Sequence, residues 1–224
     1  MNAAEPVPTA RALTAEALGT SLLLVAVVGS GIMAERLAGG NQAIALLANT
    51  LATAAALVVL ILVFGPISGA HFNPVVTLTL AARGDVAWRM VPGYIFVQIA
   101  GGIIGVAAAH FMFGEPVFAW STKSRSGLAI AFGEVIATFG LVGLILSLSR
   151  GNVAAIPYAV AAWIAGAYWF TSSTSFANPA VTISRSLSDT FTGIRPIDAP
   201  LFIAAEFVGA AGAYLLFTWL MARK

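Results

Sequence analysis

Two short stretches constrain this chain more than any other feature. Phe72-Asn73-Pro74-Val75-Val76-Thr77-Leu78 and Ala177-Asn178-Pro179-Ala180-Val181-Thr182-Ile183 are nearly the same sequence, set in a background that is almost continuously apolar. In each, Asn suits a helix N-cap, and Pro, with its fixed φ and missing N–H, suits the first helical position. A lone Asn-Pro is a weak turn signal. Two copies sharing Asn-Pro-x-Val-Thr, 105 positions apart in a 224-residue chain, form an internal repeat.

The background decides where such helix starts lie. Hydrophobic residues make up 59% of the chain and charged ones 9%, far from the roughly 25% charged content of soluble domains, so this is a membrane protein. Its pI of 9.3 reflects a net charge of only +2 with no basic run, which excludes a nucleic-acid stripe. Without cysteine, and with two histidines far apart, the chain offers no disulfide, thiolate nucleophile or metal cluster. No cofactor is expected, and an enzyme is disfavoured because no nucleophile and base come together. The apolar run after Pro6 and Pro8 is too long for a removable signal peptide and lacks a clean cleavage site.

Six segments are long enough to cross a hydrocarbon core, near 12–34, 42–63, 91–113, 128–149, 153–170 and 200–221. The Asn-Pro stretches open two further helices, 74–83 and 179–188, too short to span. The order repeats. Small-Glu-x-x-x-Thr occurs at Glu16 and Thr20 and again at Glu134 and Thr138, and Gln98-x-x-Gly101 is matched by Glu206-x-x-Gly209. Three spans per repeat is an odd number, so the second half enters the membrane inverted and the two half-helices approach from opposite faces. The expected fold is therefore all-α, with six transmembrane helices and two re-entrant half-helices in two inverted repeats. It divides into a tail 1–10, a first repeat 11–113, a linker 114–127, a second repeat 128–222 and a tail 223–224. Arg11, Arg83, Arg89, Arg150, Arg223 and Lys224 then share one side, opposite Arg36, Lys123, Arg125 and Arg195, which assigns both termini to the cytoplasm.

Irregular backbone at membrane depth survives only where protein buries it or a wet cavity adjoins it, so the loops at 64–73 and 171–178 imply a cavity. Two helix N-termini meeting there repel cations, and the Asn73 and Asn178 amides are placed to donate hydrogen bonds into the path. Ionisable residues inside spans are costly. Glu16 and Glu134 are expected to accept N–H groups from these loops, with Gln98 and Glu206 assisting. The alternatives are carboxylates at the headgroup level, or proton-coupling sites of a carrier.

The set Ala15-Glu16, Ser68-Gly69-Ala70-His71-Phe72-Asn73-Pro74-Val75-Val76-Thr77, Gly133-Glu134 and Asn178-Pro179-Ala180 resembles the aquaporin (major intrinsic protein) family over nearly the whole chain. The resemblance implies passive flow of water or small neutral solutes through a pore in every subunit of a homotetramer in the cell membrane. Two positions depart from the family pattern. Val75 makes the first signature Asn-Pro-Val instead of Asn-Pro-Ala. Val181 stands where the family carries the arginine of its narrow filter, whose other positions, counted back from the signatures, look like Thr53, Gly166 and Ser175. A filter without bulk or charge implies a wide range: glycerol-like polyols, urea, and neutral metalloid hydroxides such as arsenous acid. A bacterial branch associated with arsenic resistance looks similar, with Val at the arginine position and Thr on the second span. The alternatives are an ordinary water-selective pore, a proton-coupled carrier, or a closed structural protein.

Arg185, four residues after Val181, either supplies a displaced cation in the outer vestibule, where it would attract anionic solutes such as methylated arsenicals, or pairs with Asp189 at i+4. His71 is expected in the opposite vestibule and His110 at the interface.

Overall fold

The computed structural model describes residues 9–222; the tail positions 1–8 and 223–224 lie outside the described residues. Among the described residues the chain is helical and strand-free. Six helical stretches are long and apolar enough to cross a membrane: α1 (Thr9–Leu37), α2 (Gln42–Ser68), α4 (Val91–Phe113), α5 (Leu128–Leu148), α6 (Ile156–Phe170), which reaches that length together with the turn at Val153–Ala155, and α8 (Ala199–Leu220). Single 3₁₀ turns lead into α4 and α6. The short helices α3 (Pro74–Arg83) and α7 (Pro179–Arg185) follow α2 and α6.

Two boundaries differ from expectation for identifiable reasons. α2 continues past Pro66 to Ser68, one turn beyond the expected end at 63, and so brings the Ser68 hydroxyl to Glu16 and to the N–H of Ala70. α7 stops at Arg185 instead of 188, because Ser186, Leu187 and Ser188 tighten into bonds three residues back, to Ile183, Ser184 and Arg185.

The long helices pair within repeats. α1 lies against α4 where Gly101 and Gly105 meet the backbone of Ala17 and Ser21, and α5 lies against α8 where Gly209 meets the backbone of Val135. Any side chain at these glycines would enter the facing helix, the close approach that small residues allow in membranes. Contacts also sort the charged groups into two faces. Arg83 and Arg150 reach the carbonyls of Leu146 and Met221 on one; Arg36 bonds Phe113 and Glu115 on the other. The linker folds over that second face, where Ala119 and Ser121 donate to Leu187 and Ser186, and Arg195 donates to Lys123.

A pore built on two strained loops

The loops before α3 and α7 adopt the same unusual backbone. Gly69, Ala70 and Phe72 have φ of 90°, 49° and 50°, and Thr174, Ser175 and Ala177, at the constant repeat offset, have 62°, 49° and 50°. Five of these six are not glycine, so each costs about 1–3 kcal/mol and persists only where the surroundings over-determine it.

Buried carboxylates are what over-determine it. Glu16 accepts from the N–H groups of His71 (2.9 Å) and Phe72 (2.7 Å) and from the Ser68 hydroxyl (2.6 Å). Glu134 accepts from Phe176 (2.9 Å) and Ala177 (2.6 Å). Gln98 donates to Glu16 (2.8 Å) and to Thr77 (3.0 Å), while Glu206 accepts from the N–H of Asn178 (3.1 Å) and the hydroxyl of Thr182 (2.7 Å). All four side chains are fully buried, which removes the headgroup-level alternative. Thr20 bonds the Glu16 carbonyl one turn back.

The two tips lock together. Asn73 caps α3 through the N–H of Val75, and Asn178 caps α7 through Ala180 and Val181. Each then turns its amide across the join: Asn73 donates to the Ala177 carbonyl at 2.7 Å and Asn178 to the Phe72 carbonyl at 2.8 Å. One hydrogen of each amide therefore closes the tip. The other is left for the lumen, which both asparagines line. Pro74, Val75, Pro179 and Ala180 are buried behind them in the first turns of the two helices.

Beside this join runs a cavity of about 500 Å³, bounded by Arg83 and Asp85 toward one face and by Tyr168 and Arg185 toward the other. His71 lines it on the Arg83 side, its Nδ1 3.0 Å from the Thr77 hydroxyl and its ring against Tyr94. His110 is buried, not interfacial: it contacts the carbonyl of Pro116 (2.7 Å) and the hydroxyl of Ser188 (2.8 Å), pinning the linker to the segment after α7.

The family model for the major intrinsic protein matches residues 3–168. The chain belongs to the major intrinsic protein family. As a member it is a passive multi-pass membrane channel for small solutes, not an enzyme. It is 52% identical over 211 residues to aquaglyceroporin AqpS of Rhizobium meliloti (strain 1021), covering 94% of this chain and 90% of that protein. It is also 38% identical over 156 residues to a probable glycerol uptake facilitator protein of Thermotoga maritima, with 62% of this chain and 65% of that one covered. The crystal structure of the aquaglyceroporin from Plasmodium falciparum shares the fold, with a TM-score of 0.75 at 23% identity over 94% and 96% of the two chains.

Placing the filter residues of this major intrinsic protein alters part of the expectation. Thr53, Ser175 and Val181 line the cavity. Gly166 does not: its missing side chain would point at Phe170 on the same helix. α6 presents Ile156, Val160, Ile164 and Tyr168 to the lumen instead, a stripe at four-residue spacing that was readable as one helix face. Tyr168 thus adds to the lumen lining a large aromatic group that the count from Asn178 did not suggest. Nor is the lumen free of fixed cations, because Arg185 also lines it. The proposed ion pair with Asp189 is absent; Asp189 accepts instead from the N–H and hydroxyl of Thr122 (2.8 and 2.9 Å). Arg185 donates to the Thr192 carbonyl and lays its guanidinium over the Phe176 ring, 3.4 Å from the centroid. Arg125 approaches the same ring at 5.0 Å. It comes from the linker and is tied by hydrogen bonds to Gly193 and Ser173. Burial lowers Arg125 to about 10, with nearby Glu134 and Tyr168 pulling the other way, which leaves it cationic at neutral pH.

Proposed function

We propose that this channel passes small neutral polyols such as glycerol, together with neutral metalloid hydroxides such as arsenous acid and with water, and that Thr53, Ser175, Val181 and Tyr168 ring its narrow point. One observation carries this: the hydroxyls of Thr53 and Ser175 are buried at the cavity wall with no hydrogen-bond partner in the protein. A buried hydroxyl without a partner is costly. Turned toward the lumen, either hydroxyl would find its partner in a permeating solute's own hydroxyls, while Leu57, Ile61, Val160 and Ile164 offer an aliphatic wall to its carbon skeleton. Val181 leaves that point without a guanidinium, so a solute wider than water meets a methyl surface there. The names of the Rhizobium and Thermotoga relatives support the glycerol part of this reading.

Arg185 stands one helical turn beyond Val181, about 6 Å along the axis, and buried. It keeps a fixed positive charge in the lumen, displaced from the narrow point, which admits strongly polar or anionic solutes such as methylated arsenicals to the vestibule while opposing cations. The cavity is enclosed by one chain, so assembly into homotetramers, which the family resemblance implies, would place one pore in each subunit. The face carrying Arg83, Arg89 and Arg150, with the termini, is assigned to the cytoplasm of the cell membrane by its excess of basic residues.

Stopped-flow light scattering on proteoliposomes tests the solute class. Val181→Arg is expected to cut glycerol and arsenous acid permeation at least tenfold while water flux falls far less; unchanged flux of the larger solutes would place the narrow point elsewhere. Arg185→Ala is expected to lower uptake of an anionic methylated arsenical and to leave glycerol unaffected.

A further inference from the structure

We propose that Glu134 and Glu206 hold one shared proton, which completes the second re-entrant loop as the Gln98 amide completes the first. The duplication makes the comparison internal. In the first repeat the side chain on α4 is an amide, and its nitrogen bonds the Glu16 carboxylate at 2.8 Å. In the second repeat the corresponding side chain on α8 is Glu206, and a carboxylate in that place has no hydrogen to offer.

The donors around it are already committed. Glu134 takes the N–H groups of Phe176 and Ala177 on its two oxygens. One oxygen of Glu206 takes Asn178 and Thr182. The other oxygen is fully buried with no donor in the protein; the repeat sets Glu206 against Glu134 as Gln98 is set against Glu16, and the two carboxyls grip consecutive N–H groups, those of Ala177 and Asn178. Two ionised carboxylates do not share such a place; one proton between them turns repulsion into an O–H···O bond.

The charged and titratable groups on the surrounding elements do not supply a substitute. Arg185 on α7 is turned to Thr192 and Phe176. Arg125 in the linker is turned to Gly193 and Ser173. Tyr168 on α6 faces the cavity, and Arg83 at the end of α3 pairs with Asp85. Neither carboxyl forms an ion pair among the described residues.

The proton thus belongs to the scaffold, outside the cavity lining. Its loss would set two like charges beneath residues 176–178, the backbone that aims Asn178 at the lumen. The channel then carries an alkaline limit on conduction that resides in the second repeat alone.

Infrared spectroscopy of the reconstituted full-length protein tests this without knowing which solute permeates. A buried protonated-carboxyl C=O band is expected at neutral pH and is expected to vanish in Glu206→Gln, whose amide can donate to Glu134. The reciprocal Gln98→Glu rebuilds the pair in the first repeat and is expected to add a second such band, which keeps the idea testable if Glu206→Gln fails to insert. Wild-type protein without the band, or Gln98→Glu without a second one, overturns the proposal. With the best permeant, wild-type flux is expected to fall several-fold at the alkaline pH where the band disappears, and Glu206→Gln to conduct evenly across that range; a wild-type profile that stays level while the band disappears overturns the link to conduction.

Discussion

A buried side chain in this protein is judged by which backbone group it frees from isolation. Glu16 takes two backbone N–H groups, a hydroxyl and an amide, so Glu16→Ala strands donors that cannot reach water. At about 1–3 kcal/mol for each unsatisfied buried group, the two backbone donors alone cost about 2–6 kcal/mol, and the variant is expected to melt well below wild type in detergent by circular dichroism. Glu16→Gln, which keeps one accepting oxygen, should fall between them. Tyr168 has no such scaffold duty. Tyr168→Ala is expected to raise glycerol flux severalfold in the same liposomes, and a decrease would remove Tyr168 from the narrow point. The carboxylates and asparagines were legible in the sequence because polar residues repeated within apolar spans have few uses. Tyr168 was not: counting back from Asn178 fixes a number of residues, whereas lumen exposure depends on the rotation of α6, and the aliphatic stripe ending in Tyr168 looks like any buried helix face.

Among the elements, the tightest tolerances belong to the helix pairs within each repeat. Gly101 faces the backbone of Ala17 and Gly209 the backbone of Val135, neither of which can rotate aside. Gly101→Val and Gly209→Val are therefore expected to exceed the usual 1–3 kcal/mol of overpacking, with loss of folded protein by size-exclusion chromatography. The linker behaves differently. Its Lys123 donates to the Phe191 carbonyl at 2.6 Å and covers the Phe191 ring. Burial first, and then Arg125, lower it from 10.5 to about 8. A base whose folded pKa lies below its unfolded one binds fewer protons when folded, so stability rises as pH climbs from about 8 toward the unfolded value. Lys123→Met is expected to flatten that part of the melting-temperature profile. The sequence marked 114–127 as a linker, yet nothing in its composition announced backbone pairing with the segment after α7, because such pairing depends on a fold 70 residues away.

At the scale of the whole molecule, the odd number of spans in each half sets the geometry. It puts Arg36 and Arg89 on opposite sides of the membrane, and the absence of cysteine makes this directly measurable. Arg36→Cys and Arg89→Cys are expected to react with an impermeant maleimide from opposite faces of oriented vesicles; labelling of both from one face would end the inverted arrangement. This symmetry was the most legible property of the chain, since duplication is written into the order of its polar residues. Its small failures, a carboxyl where the first half has an amide and a valine at the start of one half-helix, are where the two halves ceased to be equivalent. The crossed amides of Asn73 and Asn178 carry the symmetry into biosynthesis. A nascent chain that has threaded only its first three spans holds a re-entrant hook whose carbonyl at Phe72 has no donor, and it stays that way until the ribosome has made and the translocon has released the second hook. Maturation of the first half is thus timed by the arrival of the last.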